Sequence, residues 1–199
     1  MRTSLTLASG SSARASMLRA AGLEFDVVAP RVDEGTVRES LAANGASPRD
    51  IADALAELKA SRVSGVAEGA LVLGSDQVLE FEGAAVGKSA SPQEAQALLT
   101  RLSGTRHALH SAAVIFEDGR PVWRHVSTAR MHMHQLSSSY IDAYVVRNWD
   151  SIRSSVGGYK IEEEGIRLFQ RVEGSHFTVL GLPLLEVLAY LRLRGVIEG

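Results

Sequence analysis

The chain has 199 residues, of which 45% are hydrophobic and 22% charged, with a formal net charge of −2 at pH 7. That length can bury one substantial core, and the near-balanced charge argues against a bulk nucleic-acid binder, which needs a strongly basic face. There are no cysteines, which excludes disulfides, thiolate zinc sites, iron–sulfur clusters and cysteine nucleophiles together. The N-terminus lacks the apolar core of a signal peptide, and no apolar run approaches the ~20 residues of a membrane span. The expectation is a soluble, cytoplasmic protein with no membrane or nucleic-acid partner.

Residues 5–22, LTLASGSSARASMLRAAG, open with a short β-prone stretch, Leu5 to Ala8. It breaks into Ser9-Gly10-Ser11-Ser12 and becomes a helical pattern through Met17 and Leu18 that stops at Gly22. A strand turning through small residues into a helix start is an anion site, because free N–H groups and the helix dipole point at the turn. Arg14 adds a charged fork suited to phosphate. Phe25–Ala29 reads as a strand and Pro30 to Glu34 as the loop after it. Residues 47–63 read as a helix: Ser47 caps it, Pro48 suits its first position, and Ile51, Leu55 and Leu58 share a stripe. Lys59, four residues after Leu55, falls at the edge of that stripe.

Residues 71–75 and 78–82 read as two short strands, the second turning at Glu82-Gly83. Ser91-Pro92-Gln93-Glu94 is a capping box that opens a helix to about Leu102. Strands near 107–116 and 122–134 flank Asp118-Gly119, a hairpin signal. A helix over 138–147 follows, then a second hairpin over 166–180 around Glu173-Gly174, and a closing helix from Leu184 to Leu193. Hairpins mixed with helices predict a mixed α/β sheet with flanking helices, not a purely parallel one. With no repeat, linker or composition shift, residues 1–199 read as one domain, with two lobes around a cleft.

Two acidic groups stand out. Asp33-Glu34 lies in the loop after a strand, and Asp76 ends the buried run Leu71–Ser75, where α/β proteins place ligand chemistry. Carboxylates near a polyphosphate hold Mg²⁺ or direct an attacking water; the plainer alternatives are a solvated loop and a turn residue. Gly87-Lys88-Ser89 resembles the end of a P-loop, but the spacing from Gly83 is one residue short and no helix follows directly. Lys88 is left as a phosphate lysine on another scaffold or an exposed hairpin lysine. His132 and His134 share a strand face without an obvious third ligand, so they read as solvated. His107 and His110 fall on opposite strand faces. In the segment from Gly157 to Gly165, Tyr159 could line a pocket and Glu162 could accept hydrogen bonds from a base edge.

Taken together, these segments resemble the Maf family of nucleoside triphosphate pyrophosphatases. Ser9-Gly10-Ser11-Ser12-Ala13-Arg14 with Met17-Leu18 is similar to the family's opening motif, and Asp33-Glu34 to its acidic pair. Ala56-Glu57-Leu58-Lys59-Ala60, Gly74-Ser75-Asp76, Gly87-Lys88, Leu102-Ser103-Gly104 with His107, Gly174-Ser175 and Gly181-Leu182-Pro183 follow in order. The resemblance implies a Maf and inosine triphosphatase-like fold and hydrolysis of a nucleoside triphosphate to the monophosphate and pyrophosphate with a divalent cation, Mg²⁺ or Mn²⁺. It implies that Asp76 accepts the proton and that Glu34 serves metal or water, so that both are candidate metal ligands. Ser9, Arg14, Lys59 and Lys88 become the triphosphate clamp.

The positions implied to set base specificity are Ala13, Gln77 and Glu162. Gln77, with Lys160 and Glu162, resembles the branch acting on 7-methyl-GTP; a dTTP/UTP pyrophosphatase is the nearest alternative. A low-turnover nucleotide-binding regulator of cell division, connected with septum formation, is the non-enzymatic one. Departures from the family pattern are Ser12 and Ser89 in place of proline, the small Ala13, and Glu163-Glu164 in the later loop. A homodimer is implied by the resemblance alone.

Overall fold

A computed structural model describes residues 4–65 and 69–198. In chain order the elements are β1 (Leu5–Ala8), α1 (Ser12–Ala20), β2 (Asp26–Val27), α2 (Glu34–Ala43), α3 (Pro48–Ser64), β3 (Leu71–Phe81), β4 (Ala84–Val86) and α4 (Pro92–Leu102). Then come β5 (Arg106–Glu117), β6 (Arg120–Met133), α5 (Ser138–Ile152), a 3-10 turn (Glu164–Leu168), β7 (Phe169–Glu173), α6 (His176–Val179) and α7 (Leu184–Leu193). The seven-stranded sheet runs β2-β1-β3-β5-β6-β7, with β4 folded back on β3. The β1 pairings are parallel and the others antiparallel. The sheet is therefore mixed, as the alternation of hairpins and helices predicts.

Caps read from the sequence form as expected. Ser47 and Ser91 accept from Asp50 N and Glu94 N, each with proline in the first turn of its helix. Both tight hairpins turn through left-handed residues, Glu82-Gly83 and Asp118-Gly119, the primed geometry whose twist matches antiparallel strands. Three apolar clusters follow from the layering. One joins α1 and α7 to Leu5, Leu7, Leu71, Leu73 and Ile115. A second packs α3 on the opposite face, against Val72, Val78, Ala112 and Val114. The third joins α4, α5 and β7 to the far ends of β3, β5 and β6. The long strands thus span two lobes, and the cleft opens between them.

Four sequence readings are corrected. Residues 71–82 are not two strands: β3 is continuous, because β1 covers Leu71–Gly74 on one side and β5 pairs Val72–Glu80 on the other. Asp33-Glu34 is not a loop: Asp33 caps α2 through Thr36 N, and Glu34 begins the helix. The strand after Phe25 shrinks to Asp26–Val27, paired only with β1. The second arm of the 166–180 hairpin is α6, whose Thr178 and Val179 carbonyls are taken by side chains from β3 and β5.

Gly74 sets how closely α3 approaches the sheet. A Cβ there would fall inside the Ala56 carbonyl oxygen and 2.7 Å from Ala60 N. The missing side chain lets helix backbone lie directly on strand backbone, two residues before Asp76 and one turn before Lys59. Gly74→Ala should lower stability by about 1–3 kcal/mol, the range of core overpacking. Urea unfolding checks this, and turnover should fall further than stability does, because Lys59 moves with the helix.

Candidate active site

Asp76 lies mid-strand, not at a strand end. It falls two residues beyond the last β1–β3 pair, Ala8 with Gly74, where β1 leaves the sheet and turns into α1. The carboxylate therefore faces the space opened at the C-terminal end of β1, the place where α/β sheets bind ligands. A cleft of about 1040 Å³ opens there. Ser9, Ala13, Arg14, Glu34, Lys59, Asp76, Gln77, Lys88 and Glu162 all line it. Every site residue expected from the sequence is thus gathered in one cavity.

At the floor, α3 delivers the Lys59 ammonium between two carboxylates. Lys59 Nζ lies 2.6 Å from Asp76 Oδ1 and 2.7 Å from Glu34 Oε1. Lys59 and Asp76 are each 5% exposed. Burial pushes the Asp76 carboxyl above its ordinary range, against the pull of Lys59 and Arg14. Burial also acts to raise Glu34, but the attraction of Lys59, Lys88 and Arg14 takes it below its ordinary value. The neighbouring carboxylates thus have opposite tendencies, a pattern that separates proton acceptor from fixed charge.

Arg14 does not reach out as a free fork. Its Nε donates to Gly181 O at 2.8 Å, and its Nη1 to Ser75 O at 2.9 Å and Ser9 Oγ at 3.1 Å. Burial lowers its pKa, opposed by Asp76 and Glu34, yet a guanidinium keeps its charge. Three of its five N–H donors hold the protein together, and Nη2 has no hydrogen-bond partner among the described residues. Gly181, at φ +101°, turns its carbonyl to accept from both Arg14 and Ser75 Oγ. The Gly181-Leu182-Pro183 segment is thereby tied to the floor. Ser12 is the first residue of α1, with Ser11 as its cap; proline suits that position because its N–H has no intrahelical partner, so serine there costs little.

The side walls differ in chemistry. Lys88 follows β4 and is exposed at the mouth; the β3–β4 hairpin before it, in place of a strand running into a helix, rules out a P-loop. Gln77 donates from its Nε2 to Ser111 Oγ, Thr178 O and Val179 O at 2.9–3.0 Å, so its N–H donors are spent and Oε1 is left to accept. Glu162 is exposed on the facing loop. Glu163 also lines the cleft, with its carboxylate on Ser151 and Lys160, whereas Glu164 is held by Arg147 and Asn148. Tyr159 is buried and donates to or accepts from His107 Nε2 at 2.6 Å. It props the loop from inside while one edge borders the cleft. His132 and His134 do not share a strand face: β6 ends at Met133, His134 follows it exposed, and His132 is half-buried with its Nε2 3.3 Å from Glu173 Oε1.

Among the described residues no group of three or more His, Asp or Glu is arranged to hold a metal. Asp76 and Glu34 offer two hard oxygen donors, the number with which Mg²⁺ is commonly held when phosphate and water supply the rest. The donor set therefore fits a cation brought in with a polyphosphate. Among the described residues, no helix is long and apolar enough to cross a membrane.

A mixed sheet with helices on both faces and a buried carboxylate–ammonium pair at its switch point make this an α/β protein whose cleft lies where such sheets bind ligands. The chain belongs to the Maf-like protein family, whose pattern matches residues 4–194. It is 57% identical to a nucleoside triphosphate pyrophosphatase of Ruegeria pomeroyi over 198 residues, covering 100% of both chains. It is 53% identical to one of a second Ruegeria strain, also over 100% of both. A 7-methyl-GTP pyrophosphatase of Rhizobium meliloti is 44% identical over 199 residues and 100% of both chains.

His107 makes a pH prediction. Burial, then the nearby His132, lower its pKa from 6.5 to about 4. The unfolded chain takes up this proton near 6.5 and the folded chain only near 4. Its contribution is therefore complete above pH 6.5 and is lost as pH falls from about 6.5 to 4, a swing of about 3 kcal/mol. Urea unfolding of wild type and His107→Gln across that range should show the wild type losing more stability, with the difference confined to that window.

Proposed function

We propose that the chain hydrolyses a nucleoside triphosphate between its α- and β-phosphates, releasing the monophosphate and pyrophosphate. The observation that carries this reading is the Lys59 ammonium lodged between Asp76 and Glu34 on the floor of the cleft. Asp76 Oδ1 is held by Lys59, while Oδ2 accepts no hydrogen bond among the described residues and is left for water. Oδ2 takes the proton as the water oxygen bonds to the α-phosphorus. The bond from that phosphorus to the β-bridging oxygen breaks, and its electron pair leaves with pyrophosphate. A carboxyl pushed upward by burial is a better base near neutral pH than an ordinary aspartate. Lys59, Lys88, the free Nη2 of Arg14 and the turn amides after Ser9 orient the phosphates and offset their charge. Asp76 and Glu34 would hold the divalent cation, Mg²⁺ or Mn²⁺, which supplies charge neutralisation and polarisation of the phosphate when bound.

For the base, 7-methyl-GTP or a similarly modified purine is favoured. With its N–H donors spent on α6 and Ser111, Gln77 offers only Oε1, and Glu162 offers only acceptors. Guanine presents N1–H and N2–H₂ donors, which suits both; uracil and thymine present one donor between two acceptors. Ala13 keeps the α1 wall low, leaving room for a purine. The Rhizobium relative's name agrees with this choice. Residues 1–199 act as one domain in this account, in the cytoplasm, as a homodimer.

Asp76→Asn should cut pyrophosphate release about 10²–10⁴-fold, the range for loss of a general base, while triphosphate affinity by calorimetry stays within a few-fold. Across 7-methyl-GTP, GTP, dTTP, UTP and CTP, the first should be preferred. A pyrimidine preference would keep the reaction and overturn the base assignment. No release from any nucleotide by folded protein with metal would overturn the reaction.

A further inference from the structure

The charges on the floor of the cleft cancel. Lys59 and Arg14 bring two cations, and Asp76 and Glu34 bring two anions. A triphosphate arriving there meets little net attraction from these four groups, and three of the Arg14 donors already serve the protein. Positive charge that is not already matched must come from elsewhere in the cleft.

Arg38 supplies it. It lies on α2, one helical turn after Glu34, and residues four apart share a helix face. Since Glu34 reaches Lys59, that face looks into the cleft, and Arg38 lines it. Arg38 is half-buried, yet among the described residues it makes no ion pair or hydrogen bond. Glu34, the nearest carboxylate on its own helix, is turned to Lys59 instead. The Arg38 guanidinium rests against the backbone of Gly87: a Cβ on Gly87 would lie 2.7 Å from Nη2 and 3.0 Å from Cζ. Its neighbour along that segment is Lys88. Arg38 and Lys88 therefore both line the cleft on its α2–β4 side, with Lys88 exposed, while Asp76 is buried at the floor.

Resting on the pyrophosphatase reading, we propose that Arg38 binds the β- and γ-phosphates and holds the departing pyrophosphate, with Lys88 beside it. The geometry gives this order: water and Asp76 act on the α-phosphate at the floor, so the leaving group extends outward along the wall where Arg38 and Lys88 stand. A guanidinium donates two parallel N–H bonds to phosphate oxygens and carries full charge at any working pH. A side chain at Gly87 would push the guanidinium from this position.

The test is titration of inorganic pyrophosphate, and separately of the nucleoside monophosphate, into wild type, Arg38→Ala, Arg38→Lys and Gly87→Ala, each with Mg²⁺ present. Direct binding needs no turnover, so the result stands apart from the reaction itself. Arg38→Ala should weaken pyrophosphate at least 10-fold and the monophosphate less than 2-fold. Arg38→Lys should fall between, and Gly87→Ala, which displaces the guanidinium without removing its charge, should also weaken pyrophosphate. With the best triphosphate, kcat/KM should fall at least 10-fold in Arg38→Ala. Unchanged pyrophosphate affinity in Arg38→Ala, equal weakening of both ligands, or no pyrophosphate binding to wild type would each overturn the assignment. If wild type binds pyrophosphate through Arg38 but releases none from any triphosphate, the hydrolytic reading fails and the Arg38 site stands.

Discussion

A lysine ammonium buried between two carboxylates is the constraint around which the rest of this molecule is arranged. Removing the Lys59 and Asp76 charges from water costs several kcal/mol per ion, and mutual attraction offsets that only with close, well-oriented contacts. Those contacts need α3 to approach β3 more closely than side chains normally allow. Gly74 permits it, and the apolar stripe of Ile51, Ala52, Leu55, Ala56 and Ala60, all buried, holds the helix down. Glu34 must come from a third element, so α2 is capped by Asp33 to begin at that residue. The floor of the cleft is a polar cluster assembled by otherwise apolar packing.

The same economy of donors runs outward from the floor. Arg14 joins Ser9, just after β1, to β3 and the Gly181 segment with three donors, and its Nη2 has no partner among the described residues. Gln77 ties β3 to α6 with its nitrogen and keeps its oxygen free. Each of these side chains is fixed by bonds to the scaffold, so its remaining valence points in one direction. Such preorganisation is what phosphoryl-transfer catalysis requires, because positioning and charge stabilisation carry most of its rate. The mouth is built differently: among the described residues no carboxylate fixes Lys88 or Arg38, which suits groups that meet a substrate and then release a product.

Much of this was legible in the residue order. The strand–turn–helix opening, the capped helices and the mixed sheet follow from periodicity and caps, whereas the roles of Glu34, Lys59, Asp76, Gln77 and Lys88 were implied only by the family resemblance. The elements that escaped are those whose local pattern is weak. α2 has no fully buried residue and only Val37 and Leu41 on its inner side, so its periodicity is faint; Asp33 followed by Glu34, an N-cap and an acidic first turn, was the available signal. Arg38 was missed with it. α6 spans four residues, and so short an apolar run cannot be told from a strand by pattern. Burial of Asp76 mid-strand depends on how far β1 extends beside β3, a long-range pairing with no local trace. The bonding of Arg14 to the Gly181 carbonyl, across a separation of 167 residues, is equally invisible locally.

The central claim is energetic coupling at the floor: Lys59 stabilises because Asp76 is there, and Asp76 is tolerated because Lys59 is there. A double-mutant cycle of urea unfolding on wild type, Lys59→Met, Asp76→Asn and the double variant measures it. Lys59→Met alone should cost about 3–5 kcal/mol, as for an uncompensated buried charge. The double variant should recover at least ~1 kcal/mol relative to the sum of the single losses, beyond the ~0.5 kcal/mol scatter of independent sites. Losses that simply add would contradict the account, because the ammonium and the carboxylate would then be independent and the floor would not be the unit on which the site is built.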